Sequence, residues 1–190
     1  MDRKSTYPIE PFILHRWSPR AMSGESIPIE ELMSLFEAAR WAPSSFNNQP
    51  WRFIFAQRDS EHWQTFVQLL NEFNQSWASR AAVLVVVVSK KTFDFSGKPS
   101  RTSAFDTGAA WENLALEASA RNFVAHGMEG FDYEEARAQL HIPNEFDVQA
   151  MIAIGRHGSV EELPATIQER EFPSDRRPLE EIVMEGVFQS

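Results

Sequence analysis

The chain contains no cysteine among its 190 residues, which excludes disulfides, thiolate metal centres and a cysteine nucleophile. No run of lysine or arginine exceeds two residues and the net charge is −9. There is thus no basic face for a phosphate backbone, and nucleic acid is not expected as a partner. No apolar run approaches the ~20 residues of a membrane span. The polar opening, Met1 to Pro8, has no apolar core of a signal peptide. These two absences predict a soluble, cytoplasmic protein with no membrane partner. The five histidines, His15, His62, His126, His141 and His157, have neither His-x-x-x-His nor His-x-His spacing. No Gly-x-Ser-x-Gly elbow or glycine-rich phosphate loop occurs. No metal is expected, and each histidine reads as structural or exposed.

What is present is apolar and aromatic. A hydrophobic content of 43% over 190 residues supports one sizeable core and is too little for two comfortable domains. The chain therefore reads as a single domain over 1–190, with an amino-terminal arm over 1–12 and a carboxyl-terminal arm over 156–190. Six tryptophans and fifteen phenylalanines are suited to anchoring an interface or a ring-shaped ligand.

Ser26 is placed to cap a helix from Ile27 to about Arg40, where Ile29, Leu32, Phe36 and Ala39 recur at helical spacing. A strand is expected from Trp51 to Ala56. Ser60 opens a second helix carrying Trp63, Phe66, Leu70, Phe73 and Trp77 on one stripe. The β-branched run Val83 to Val88 shows no alternation and fits a central strand covered on both faces. Lys90 to Ser103 is polar and reads as a surface loop or lid. The helix from Asp106 to about Arg121 is rich in small residues, Gly108, Ala109, Ala110, Ala115 and Ala118, which permit close approach of another backbone. Phe123 to His126 is a short strand, Gly127 to Gly130 a turn, and Asp132 caps a helix reaching Leu140. Val148 to Ile154 is a further strand. The alternation gives an α/β or α+β sandwich. Beyond Gly155 the chain becomes polar and proline-punctuated, and a structureless stretch of that length is expected to lie on another surface, most plausibly a second subunit.

Three segments carry chemistry. Pro43-Ser44-Ser45-Phe46-Asn47-Asn48-Gln49-Pro50-Trp51 is a loop of hydrogen-bonding groups boxed by prolines, which fix φ and restrict the preceding residues. Its serines and Asn47 can serve as turn caps or as ligand contacts. Arg16-Trp17-Ser18-Pro19-Arg20 brings two guanidiniums and a hydroxyl within reach of one phosphate. Gly127-Met128-Glu129-Gly130-Phe131-Asp132 offers backbone donors beside glycine.

In this order the three segments resemble the nitroreductase family of flavin enzymes, over His15 to Val187. The resemblance implies an α+β fold, a three-layer α/β/α sandwich with a central mixed, mainly antiparallel sheet, and extended arms exchanged in a homodimer. It implies that Arg16, Trp17, Ser18 and Arg20 bind the phosphate and ring edge of FMN. Pro43, Ser44, Ser45 and Asn47 would approach the flavin held mainly by the other subunit, with Gln49, Pro50 and Trp51 as support. Asn74 would face the pyrimidine side of the ring, although a plain helix cap remains open for it. Trp77 stands where relatives often carry lysine, so Arg20 would supply more of the charge facing the reduced ring. Met128, Glu129 and Gly130 would form the turn whose backbone N–H at Glu129 meets flavin N5, with no catalytic side chain. Arg176 would join the phosphate site, with Ser174 in place of a frequent lysine. The implied activity passes hydride from NADH or NADPH through FMN to a small-molecule acceptor such as a nitroaromatic or quinone, in a ping-pong cycle. The alternative is a flavin-binding storage or sensor protein without significant turnover, motivated by Trp77 and Ser174. A cofactor-free dimeric module is a third reading.

Overall fold

A computed structural model describes residues 3–188; the outermost two residues of each expected arm lie outside the described residues. The short helix α1 (Pro11–His15) begins at the end of the expected amino-terminal arm and packs against the long helix α5. Helix α2 runs Ile29–Arg40, strand β1 Trp51–Gln57, helices α3 and α4 Trp63–Leu69 and Glu72–Ala78, and strand β2 Val83–Lys90. There follow α5 (Ser103–Ala120), β3 (Phe123–Met128), α6 (Tyr133–Gln139), β4 (Phe146–Arg156) and the single-turn α7 (Ala165–Gln168).

The four strands form one sheet in the order β1-β2-β4-β3. All three pairings are antiparallel, which meets the mainly antiparallel expectation; no parallel pair occurs among the described residues. β2 is interior and buried along its length up to Lys90, as its unbroken valine run requires. Alternate residues of that strand serve opposite layers. Val83, Val85 and Val87 join Leu32, Leu35, Ala39, Ala110 and Leu114 of α2 and α5, while Leu84, Val86 and Val88 join Phe66, Leu69, Trp77 and Ala136 of α3, α4 and α6. The result is the three-layer α/β/α arrangement. Truncating a fully buried leucine such as Leu35 to alanine costs about 2–5 kcal/mol.

Several elements differ from expectation. Helix α2 begins at Ile29 with Pro28 in the capping position and no side-chain cap; the fixed φ of proline supplies the entry in place of Ser26. The aromatic stripe from Trp63 to Trp77 is two helices, because Leu70 is extended and bridges Phe131 while the Asn71 side chain caps α4 through the Asn74 N–H. Phe73 is accordingly exposed. Strand β3 runs through Gly127 and Met128, so the turn begins later. Asp132 does cap α6, accepting from the Glu135 N–H. Of the small residues of α5, Ala110 and Ala118 are buried against this chain's own sheet and α2, Ala115 is also buried, and Gly108 stays exposed. The carboxyl-terminal segment is only partly an arm. Leu163 and Ile167 are buried in the core, whereas Leu179, Ile182, Val183 and Val187 are exposed apolar residues. Among the described residues no helix is long and apolar enough to cross a membrane, and no cluster of three or more histidine, aspartate or glutamate side chains could hold a metal ion.

Candidate functional site

The segment between α1 and α2 meets the segment after α7 in a cavity of about 290 Å³. Arg16, Trp17, Ser18 and Arg20 line it from one side, and Arg170, Phe172, Ser174 and Arg176 from the other, with Arg3 and His126 completing the wall. Five of its lining residues are arginines and none is acidic. The sequence motifs at Arg16 and Arg176 are thus brought together by the fold, although some 160 residues separate them.

Each guanidinium is placed by identifiable contacts. Arg16 is mostly buried, donates to Ser18 Oγ at 3.3 Å and lies 3.3 Å from Glu112 Oε1 of α5. Arg3 reaches across the chain ends, donating to the carbonyl oxygens of Leu14, Arg16 and Ser174 at 3.1, 2.6 and 3.0 Å. Burial, together with the charges of Arg176 and Arg16, pushes the pKa of Arg3 down. Arg176 donates to Ser174 Oγ at 3.3 Å. Arg20 is held from the carboxyl-terminal segment, where Glu171 Oε1 accepts from the backbone N–H groups of Arg20 and Ala21 at 2.5 and 2.8 Å. Such a concentration of like charge in a concave site calls for an anion with several acceptor oxygens, and arginine's forked donors suit phosphate.

Asn74 and Trp77 stand behind this cavity as a connected support. Trp77 is fully buried; its indole N–H donates to Asn74 Oδ1 at 3.2 Å, and the Arg20 guanidinium lies 5.9 Å over its ring. Trp77 therefore occupies no ligand position, and its replacement of lysine puts a wall behind Arg20. Asn74 Nδ2 donates to the Gly130 carbonyl at 2.9 Å, tying α4 to the Met128–Gly130 turn. A Cβ at Gly130 would run into the Asn71 and Asn74 amides, which are held by their bonds to the Asn74 N–H and the Gly130 carbonyl, so a larger residue would displace that bridge. Met128 is buried, while the Glu129 side chain projects to solvent. The cap of α4 is Asn71, which leaves the Asn74 side chain to its bridging role. His126 donates through Nδ1 to the Pro19 carbonyl at 3.0 Å and packs on Trp77, and it also lines the cavity, a placement the sequence reading did not anticipate. Burial, aided by the Arg20 charge, lowers its pKa, partly opposed by the Pro19 hydrogen bond.

The Pro43–Trp51 loop is preformed but lies apart. None of Pro43, Ser44, Ser45 or Asn47 lines the basic cavity, nor do Asn74, Met128, Glu129 or Gly130. Phe46, Asn47 and Gln49 adopt left-handed backbone with φ of 53°, 54° and 49°. Buried Asp106 at the start of α5 fixes the loop by accepting from the Ser45 N–H at 3.1 Å, and Ser44 Oγ accepts from the Gln49 N–H at 3.0 Å. Asn48 joins it to the Lys90–Ser103 segment by accepting from the Asp94 N–H and donating to the Thr92 carbonyl. Phe46, 79% exposed, packs against Phe93 and Phe95. Pro50 and Trp51 are buried supports.

Sequence reasoning missed Arg3, Arg170, Phe172 and the buried Glu171. Arg170 and Glu171 sit in an acidic–basic run that reads as solvated surface, and nothing in the local pattern singles them out.

The nitroreductase family model matches residues 13–156. A crystal structure described as an oxidoreductase containing FMN is 46% identical, covers 98% of this chain and 96% of its own, and superposes with a TM-score of 0.95. A Thermus thermophilus protein named NADH dehydrogenase is 27% identical over 90% of this chain and 92% of its own length. An uncharacterized 15.4 kDa protein of Mycolicibacterium smegmatis is 33% identical over 71% of this chain and 95% of its own length.

Proposed function

The chain belongs to the nitroreductase family, and from that premise we propose that it is an FMN-dependent oxidoreductase, homodimeric and cytoplasmic. It draws electrons from NADH or NADPH and passes them to a small-molecule acceptor such as a nitroaromatic or quinone. The observation that carries this reading is the convergence of Arg16, Ser18 and Arg20 with Arg176 on one acid-free cavity. A volume of about 290 Å³ is at the low end for a ligand site; it suits a phosphorylated polyol tail and leaves the tricyclic ring to be covered from elsewhere.

Arg16 and Arg176 would hold the phosphate and Arg20 would reach the ring edge, with Ser18 as a hydroxyl donor and Trp17 as a flat wall. The Met128–Gly130 turn, tied to α4 by the Asn74 amide, would border the ring and offer it the Glu129 backbone N–H. The second copy contributes Pro43, Ser44, Ser45 and Asn47, whose rigid loop closes the ring from outside and excludes water. Bound FMN would supply the chemistry, taking hydride from reduced nicotinamide and giving it to the acceptor in two alternating half-reactions. No side chain need act as acid or base; the protein binds, orients and shields. The exposed apolar residues of the last turn, Ile182, Val183 and Val187, are the part of the carboxyl-terminal arm left to reach the partner.

The test is the visible spectrum of the purified protein before and after reduced nicotinamide is added anaerobically, followed by an acceptor. A flavin spectrum that bleaches and recovers is expected. A protein that stays colourless when incubated with FMN overturns the proposal, and one that binds FMN without bleaching favours storage or sensing.

A further inference from the structure

We propose that Glu171 is a positioning residue that tempers the charge Arg20 presents to the flavin ring, and thereby sets how readily the bound flavin is reduced. This rests on the FMN reading above and goes beyond it. The Glu171 side chain is only 1% exposed, far from what a glutamate in a polar arm would show. Its Oε1 accepts two backbone N–H groups, from Arg20 and Ala21, so the carboxylate is built into the amino-terminal motif from the opposite end of the chain. Its Oε2 has no hydrogen-bond partner and lies 3.9 Å from Arg20 Nη1. Arg20 Nε is likewise buried without a partner.

The two charges therefore face each other closely without a direct hydrogen bond. In water-poor surroundings a charge pair at that distance is felt strongly. Arg20 keeps donors for a ligand in the cavity it lines, yet its positive field there is offset by the carboxylate behind it. At the position of the family's lysine the chain carries Trp77, neutral and fully buried under Arg20, so no second cation comes from that position. A ring that gains negative charge on reduction is stabilised by Arg20 and opposed by Glu171. Charge near the ring is one of the protein's means of tuning a flavin. Glu171 thus makes the bound flavin harder to reduce while docking the carboxyl-terminal segment onto the phosphate site.

The experiment compares wild type and Glu171→Gln, both loaded with FMN, by dye-equilibrated reductive titration and by fluorescence titration of FMN affinity. Glutamine keeps an acceptor for the two backbone N–H groups and removes the charge. The expected result is a more positive midpoint potential in E171Q, with FMN held as tightly as in wild type or tighter. An unchanged or more negative potential with FMN bound overturns the inference and leaves the FMN reading standing. A wild-type protein that takes up no FMN overturns that reading and this inference with it. If E171Q does not fold, Glu171→Asp carries the test, because its shorter stem draws the charge away from Arg20. A smaller positive shift is then expected, and no shift overturns the proposal.

Discussion

The basic cavity and the Pro43–Trp51 loop are both polar and preformed, yet they are finished in opposite ways. The cavity is a receptor closed by its own chain: Arg3 staples the two ends together and Glu171 ties the carboxyl-terminal segment to Arg20. The loop spends its hydrogen bonds internally and on Asp106, holds three left-handed residues, and turns Phe46 and Asn47 outward. The cavity has no acidic side chain among its lining residues, and the loop leaves Phe46 and Asn47 exposed without lining that cavity. In the proposed dimer the loop of one copy would meet the cavity of the other.

Breaking the receptor half should have the larger effect. Arg16→Ala removes a mostly buried guanidinium from the basic cavity, where the proposed function puts the phosphate, and a charged hydrogen bond contributes about 1.5–3 kcal/mol. FMN affinity in a fluorescence titration should fall by roughly 10- to 100-fold. The melting temperature should hardly move, since the Arg16 guanidinium holds only a long hydrogen bond to Ser18 and a contact with the half-exposed Glu112 among the described residues. A variant that copurifies with full FMN would remove Arg16 from the site.

Breaking the presenting half should do less to binding and more to turnover. Asp106→Ala leaves the Ser45 N–H and the Thr102 hydroxyl without their acceptor, a cost of about 1–3 kcal/mol in stability. Faster hydrogen exchange at Ser45 and Phe46 is the expected signature, with kcat lowered and FMN affinity changed by only a few-fold. Loss of FMN as severe as in Arg16→Ala would mean that the loop belongs to the phosphate site.

The same contrast governs what the sequence made legible. Periodicity reports burial, so the valine run of β2 and the apolar face of α2 could be anticipated from it, whereas the three-layer order comes from the family resemblance. The Asp132 cap was legible because its acceptor and donor lie three residues apart. The break at Leu70-Asn71 was not, since Trp63, Phe66, Leu70, Phe73 and Trp77 keep helical spacing across it, and only the Leu70–Phe131 bridge extends the backbone there. Within the site, Arg16, Ser18, Arg20 and Arg176 stood out as local motifs matching a family pattern. Arg3 and Glu171 act through contacts that span the whole chain, and no local pattern carries that information. Trp77 looked like a missing charge; its place under Arg20 became visible only in three dimensions.

The smallest effect sharpens the receptor half through pH. His126 lines the cavity and is held between Trp77 and the Pro19 carbonyl, and burial holds its pKa below the ordinary 6.5. In the unfolded chain the ring takes up its proton near 6.5, while the folded ring resists it until lower pH. Between those two values the unfolded state binds more protons, so stability falls as pH drops. Above about 6.5 both states are neutral and this group adds no slope. His126→Gln keeps an N–H for Pro19 and has nothing to titrate. In urea melts at pH 7.5, 6 and 5, wild type should lose stability relative to the variant across the two lower values, and the two should run parallel from neutral pH upward. Parallel behaviour throughout would show that His126 is protonated as easily in the folded chain as in the unfolded one, and that the wall behind Arg20 is wetter than its packing implies.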